Sequence, residues 1–386
     1  IALLPKASGG LRPIGIFPTF VRVWFQLRAP YIRRWEADHE RPFFYAGAAK
    51  GADIALWLQA AHLEHAALAQ QAAAATLVDL VKAFERVSHI GLLTAAKKWD
   101  YPMWALRLSL AAYRLGRRVS TQGVLSAIVV ACRGITAGSA FATTELRLLL
   151  LAALDHIHAA FPMLPLYVYV DDMFLAATGA PKHVCRILTS ATKQLVMLLQ
   201  AAELEVSDTK SEGVASSPWL CLQLGKALAI HGITFSLSCK SLGGDVAATL
   251  KRSVSVQKRR LRDLRARRPR IARLRKAAVG TARLFRTGFT AALTWGAHVV
   301  GVATTPLMQW RREAARGCAA AAAGKSPDVV LLLADEGPAH TTDPAFAAHA
   351  LPIGYWARLC GTRGGHARTW LLTCAAPGSA SPRPRA

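Results

Sequence analysis

The chain is short of acid. Its 386 residues hold 23 Asp plus Glu against 48 Lys plus Arg, a formal net charge of +25. A surplus of that size points to a polyanionic partner, either nucleic acid or an anionic membrane surface. Paired cysteine is also missing. The seven cysteines, at 132, 185, 221, 239, 318, 360 and 374, are odd in number and form no C-x-x-C pair. This pattern argues against a disulfide framework and a structural zinc site, and reduced thiols are expected. A membrane span is lacking too. Residues 287–310 carry no charge but include Gly288, Gly296, Gly301, His298, Pro306 and five threonines. A spanning helix needs ~20 predominantly apolar residues, so this stretch reads as a buried helix or helix pair. No charged-then-apolar leader opens the chain, which starts at Ile1 and reads as a fragment of something longer. What is present is a capacity for cores. With 53% hydrophobic residues, general disorder is excluded, and the length suits two or three domains.

The punctuation of the chain predicts a mixture of helices and strands. Ala7-Ser8-Gly9-Gly10 reads as a turn between two short strands, and 24–38 as a helix. Residues 51–75 read as one helix followed by a buried strand at 76–78, with 80–87 helical. Two helices separated near Pro102 fill 91–116. Extended chain with a turn at Gln122-Gly123 covers 117–133, and a long apolar helix runs from 139 to 160, before Pro162. LYVYVDDMFLAAT (166–178) has the pattern of a β-hairpin with a charged tip. An amphipathic helix follows at 181–202, then a strand and turn at 204–217 and two short strands in 228–242.

From 245 the composition changes. Residues 251–276 hold 13 Lys or Arg and one acid, Asp263, with Leu250, Leu261, Leu264 and Leu274 at helix-like spacings. Pro269 is expected to split this segment into two helices. Past Trp310, an alanine run and Gly/Pro/Ser-rich sequence predict weak structure.

The acids carry the chemistry. Asp171 and Asp172 stand side by side between apolar strands, where they repel each other and lose hydration unless a cation neutralises them. A divalent ion suits them, because Mg²⁺ takes hard carboxylate oxygens and keeps sites for phosphate. Taken alone, the pair is better explained by a solvated Asp-Asp hairpin turn. Asp79, at the end of the apolar run ATLV, adds a second strand-end acid. Acids from two neighbouring strands can converge on one metal pair, as two-metal phosphoryl transfer requires.

In this order the motifs resemble those of reverse transcriptases, most closely the non-LTR retrotransposon type, with group II intron enzymes as cousins. DLVKAFERV (79–87) resembles the first catalytic motif and YVDD (169–172) the second. LPKASGGLRPIGIF (4–17) resembles the fingers motif that grips nucleotide. FYAGAAKGADIA (44–55) resembles the segment before the first palm strand, and LEVSDTKSE (204–212) and KSLGGDV (240–246) the later palm motifs. The resemblance implies an α+β right-hand polymerase with fingers, an antiparallel-sheet palm and a helical thumb. It divides the chain into fingers at 1–60 (truncated at the N-terminus), palm at 61–245 with inserted fingers helices, basic thumb at 246–305, and a weakly structured extension at 306–386.

Roles follow from the same resemblance. Asp79, Asp171 and Asp172 would be the catalytic carboxylates around two Mg²⁺ ions, with Mn²⁺ as the alternative and the Leu80 carbonyl as a further ligand. Lys210 would protonate pyrophosphate. Lys6 and Arg12 would hold the triphosphate, since Arg offers a fork to phosphate oxygens. Phe84 would sit under the sugar and reject a 2′-hydroxyl, and Gly138 would help seat the nucleotide. Leu242 and Gly243 would position the primer end. Lys251, Arg252, Lys258, Arg259 and Arg260 would follow the phosphates of a template–primer duplex.

Two departures stand out. Where the family carries Gln before Gly, GITAGSAFA (134–142) has Ala137, which puts efficiency in question. Glu85 replaces the usual second Asp of the first motif, at a position not expected to bind metal. The implied partners are an RNA template, a DNA primer and dNTPs, with no membrane and no obligate protein partner. The implied location is the nucleus or cytoplasm, or an organelle for an intron-type enzyme. The alternatives are a catalytically degenerate nucleic-acid-binding remnant on the same fold and an RNA-templated RNA polymerase, which Phe84 opposes.

Overall fold

The computed structural model describes residues 1–5, 10–48, 50–121, 123–277, 281–318, 324–334 and 342–361. They form two compact units: Ile1–Ala55 with Ala72–Ser236, and Leu56–Gln71 with the described residues from Leu237 on.

The first unit opens with β1 (Ala2–Pro5), β2 (Leu11–Ile14) and α1 (Thr19–Asp38), and loses the chain partway along α2 (Ala52–Leu68). It resumes with β3 (Ala72–Val78), α3 (His89–Lys98), α4 (Met103–Tyr113), β4 (Ser120–Thr121), β5 (Val124–Leu125) and α5 (Ala142–Ala160). Then come β6 (Leu166–Tyr169), β7 (Asp172–Gly179), α6 (Pro181–Ala201), β8 (Glu212–Ala215), α7 (Pro218–Ala227) and β9 (Thr234–Ser236). A five-stranded sheet has the order β6-β7-β3-β8-β9, antiparallel except at β8–β9. A smaller sheet runs β2-β1-β4-β5.

β3 begins at Ala72, in the stretch that propensity assigns to helix. Ala73, Ala74 and Ala75 are fully buried between β7 and β8. Small side chains let α6 lie close on this central strand, and tertiary pairing overrides the helical preference of alanine. Val184, Leu188, Ala191, Leu195 and Leu199 recur at three- and four-residue steps along α6 and are all buried. Each leucine contributes about 1.5–3 kcal/mol by leaving water. A buried polar contact in this layer is satisfied, since Thr76 and Thr192 hydroxyls meet at 2.8 Å. Residues 81–86 form turns rather than the expected helix.

The second unit holds the antiparallel hairpin of β10 (Ser238–Ser241) and β11 (Gly244–Ala247), then α8 (Ser255–Lys276). Pro269 does not split α8. Leu261 and Leu264 before it and Ile271 after it are buried in one cluster with Phe285, Leu293, Leu307 and Trp310. Arg265 and Arg268, flanking the lost backbone bond, both bond to Glu313. Anchors on both sides keep the helix continuous despite a cost of about 3 kcal/mol. Residues 285–300 are a series of short helical segments rather than one span, and no helix among the described residues is long and apolar enough to cross a membrane. Among the described residues after 306, a stretch weakly structured by composition, most lie in helices Thr304–Cys318, Pro327–Leu333 and Pro344–Gly361. Their buried residues include Trp310, Leu331 and Tyr355.

Candidate active site and nucleic-acid interface

Asp79 stands immediately beyond β3, and its backbone is fixed on both sides. Its N–H donates to Ser211 Oγ at 3.1 Å, and its carbonyl accepts from Ser207 N at 2.8 Å. Val81 N donates to Glu205 O, and Leu80 bridges Val206. In such a pairing the bridging residue's own carbonyl points away from its partner. The Leu80 side chain is core, 2% exposed. The same docking brings in Lys210, whose Nζ donates to Asp79 Oδ1 at 3.1 Å.

The neighbouring strand brings the other acids. β3 and β7 pair Val78 with Met173, so one further step sets Asp79 opposite Asp172. β6 and β7 close on Tyr169 opposite Asp172, leaving a two-residue turn of Val170 and Asp171. Val170 has φ of +61°, a left-handed conformation that costs a β-branched residue about 1–3 kcal/mol. Asp171 is half-buried, and Asp172 is exposed at the first position of β7. Burial pushes the Asp171 carboxyl up, and so does the charge of Asp79. Its backbone hydrogen bond, Lys210 and Arg12 pull it back. The charges of Asp79, Lys210 and Arg12 therefore all act on Asp171, and Lys210 pairs with Asp79.

The donor chemistry fits a divalent cation, because two hard carboxylates share one field at adjacent strand ends. No cluster of three or more His, Cys, Asp or Glu able to hold a metal ion occurs among the described residues. Asp172 is thus not gathered with the other two into a ready three-acid cage.

The loop after Asp79 packs against the loop that holds Gly138. Ile135 N donates to Phe84 O at 2.7 Å, and Gly134 N to Val87 O at 2.8 Å. Phe84 is half-buried against the core of this unit. Gly15 N donates to Ala137 O at 2.6 Å, and a Cβ on Gly138 (φ +116°) would stand 2.3 Å from the Gly15 carbonyl. Glycine is required there by close backbone approach. Arg12 is exposed on β2, paired with Leu4. Lys6 lies outside the described residues. Gly15, Ser207 and Ser211 are positioning residues that sequence reading passed over. The only signal for the two serines is the Ser/Asp/Thr-rich turn SDTKS beside a strand.

In the second unit, Leu242 (φ +44°) and Gly243 (φ +80°) form the two-residue turn of β10–β11, both left-handed as a tight hairpin requires. Trp295 Nε1 donates to Leu242 O at 3.0 Å, and Arg260 donates to Gly243 O at 2.5 Å and Trp295 O at 2.7 Å. Arg260 is thus committed to carbonyls within this unit. Its pKa is lowered by burial and by Arg259 beside it. Arg252 likewise donates to Val300 O. Lys251, Lys258 and Arg259 are exposed. Helical periodicity sets Arg259, Arg262, Arg270 and Arg273 opposite Leu261, Leu264 and Ile271. All four are exposed, and none has an ion-pair partner among the described residues. They span about 21 Å at 1.5 Å per residue.

A largely antiparallel sheet with acids at adjacent strand ends, basic groups beside them and a glycine-held loop suits the palm of a nucleic-acid polymerase. The chain belongs to the reverse transcriptase (RNA-dependent DNA polymerase) family, which matches residues 4–243. No curated protein matches it. Among solved structures it is similar to apo telomerase from Candida tropicalis, at 12% identity and TM-score 0.42, covering 92% of this chain and 58% of that one. The same telomerase truncated from its C-terminal domain gives 13% and 0.38, covering 60% and 44%. Telomerase from Candida albicans in complex with a fragment of telomeric RNA gives 10% and 0.41, covering 88% and 52%. The chain thus spans about half the length of these telomerase chains.

Proposed function

We propose that the chain synthesises DNA on an RNA template, transferring a deoxynucleotide from a dNTP to a primer 3′-hydroxyl, and that it is of the non-LTR retrotransposon type. The observation that carries this reading is the mutual action of Asp79 and Asp171 at adjacent strand ends, with Lys210 at 3.1 Å. Asp79 and Asp171, assisted by Asp172, would hold divalent ions, Mg²⁺ with Mn²⁺ as the alternative, which when bound supply activation of the attacking hydroxyl and neutralisation of the triphosphate. Lys210 holds a proton at Nζ beside Asp79, in place to reach a leaving pyrophosphate. Arg12, whose charge acts on Asp171, would orient phosphate. Phe84 faces the sugar, and the loop at Gly138 seats the base pair. The exposed arginines of α8 follow backbone phosphates, which makes 246–305 the thumb, with 61–245 as palm and 1–60 as fingers. The retroelement type sets the location in the nucleus or cytoplasm.

Primer extension on an RNA template with dNTPs and Mg²⁺ tests the reading. Incorporation that is abolished in Asp171→Ala supports it, and full activity in that variant contradicts it. Binding by the α8 face is tested by salt. Replacing Arg259, Arg262, Arg270 and Arg273 with Gln should flatten the plot of log affinity against log salt by about 1 for each phosphate no longer neutralised.

Ala137 favours a second reading, a degenerate remnant that binds RNA without catalysis. It requires tight RNA binding that is indifferent to Asp79→Ala, together with no nucleotide incorporation.

A further inference from the structure

Glu145 is a carboxylic acid with no exposed surface, on the first turn of α5. Its Oε2 accepts from Tyr113 Oη at 2.5 Å, and its Oε1 has no hydrogen-bond partner. Tyr113, fully buried at the end of α4, also meets Ser139 Oγ at 2.9 Å. Ser139 directly follows Ala137-Gly138. Its Oγ accepts from Phe141 N at 3.3 Å, and its N–H donates to Thr136 O at 3.0 Å. A single chain of hydrogen bonds thus runs from a buried acid to the loop assigned to the nucleotide. Arg117 braces the same loop, donating to Thr136 Oγ1 and Tyr113 O.

We propose that Glu145, acting through Tyr113, is the positioning residue of the 134–139 loop, and that its ionisation sets the direction of the hydrogen bonds reaching Ser139. The proposal rests on the seat at Gly138 put forward above. Tyr113 has one proton. With Glu145 ionised, that proton is committed to Oε2, so the Ser139 hydroxyl donates inward to Tyr113 Oη. With Glu145 neutral, the acid can donate to Tyr113, Tyr113 to Ser139, and the serine proton turns away from the chain. The ionised form gives the stronger, charge-assisted chain. Because Ala137 brings no side-chain amide to the loop, backbone placement carries more of the seat.

The surroundings make the two forms accessible near neutral pH. Burial pushes the Glu145 carboxyl up to about 7, against the hydrogen bond from Tyr113 and the nearby Ser109 hydroxyl. The titratable and charged groups that face this network are Tyr113 and Tyr101, both raised by burial, Glu36 on α1, His89 on α3 and Arg117. His89 is held below its usual range by burial, and its Nε2 lies 3.0 Å from Gly134 O. Tyr101 Oη and His89 Nδ1 are buried without hydrogen-bond partners.

Amide hydrogen exchange of the 134–142 segment in the full chain, corrected for intrinsic rates, tests this from pH 6 to 8.5. Wild type should gain protection as pH rises through about 7, and Glu145→Gln should abolish that change. At pH 8, Tyr113→Phe and Ser139→Ala should each raise exchange at least about tenfold, the scale of a single hydrogen bond, since each removes two. Where incorporation is measurable, the KM for dNTP should rise in the same variants while kcat stays within about twofold, a split that a merely structural role does not give. Ser139→Thr should restore both. Flat protection across pH in wild type, or exchange and KM unchanged in Ser139→Ala, overturns the proposal. The exchange readout needs no catalysis, so a chain that incorporates nothing defeats the proposed function and leaves this test standing.

Discussion

The two units handle acid in opposite ways. In the second, buried acids are saturated with donors. Asp245 accepts from Ser253 Oγ, Ser255 Oγ and Val256 N, which ties the β10–β11 hairpin to the N-terminus of α8. Glu313 accepts from Arg265 and Arg268, and Arg316 lies 3.6 Å away. In the first unit, Asp171 sits on a strained turn under the charge of Asp79, and Glu145 keeps one oxygen unpaired. A saturated acid is architecture, because removing it undoes several bonds. An undersatisfied acid raises the cost of its own burial, and such groups collect where chemistry or switching occurs.

The contrast can be broken most strongly at Asp245. Asp245→Ala should cost about 3 kcal/mol by stripping the start of α8 of its acceptor, read as a lower midpoint in thermal or urea unfolding. Glu145→Gln should act in the opposite sense. With a folded pKa of about 7 against an ordinary 4.5, folded protein keeps a proton that the unfolded chain has released. The stability this gives is complete below pH 4.5 and is lost as pH rises to about 7. The loss amounts to about 3 kcal/mol over that window, and urea unfolding of Glu145→Gln between pH 5 and 8 should lack it. Trp295→Phe removes the hydrogen bond to Leu242 and should destabilise by about 1 kcal/mol, with the β6–β7 turn unaffected. The smallest effect belongs to Val170→Gly. Relief of the left-handed valine, offset by chain entropy, should leave stability within about 1 kcal/mol of wild type.

Asp79 and Asp171 were legible because an acid at the end of an apolar run breaks a pattern that burial otherwise enforces. The hairpin around Asp171 was legible for the same reason. The start of β3 was not, because alanine favours helix and only the flanking strands make it extended. Pro269 reads as a break in any isolated helix, and Glu313, far along the chain, is what holds the turn. Asp245 as a cap and Glu145 as an anchor depend on similarly distant contacts. Glu145 falls on an apolar helix where periodicity reports only a face. Lys210 was singled out by resemblance alone, and its contact with Asp79 follows from the pairing of 205–207 with 79–81.

Single-nucleotide incorporation on a primed RNA template, compared between wild type and Asp171→Asn, tests the central claim most directly. The substitution keeps size and turn while removing the charge shared with Asp79. Wild-type extension with dNTPs and a loss on the order of a thousandfold or more in the variant, with template–primer affinity unchanged, is the predicted result. Equal incorporation by the two proteins would contradict the assignment of this strand-end pair as the reactive centre.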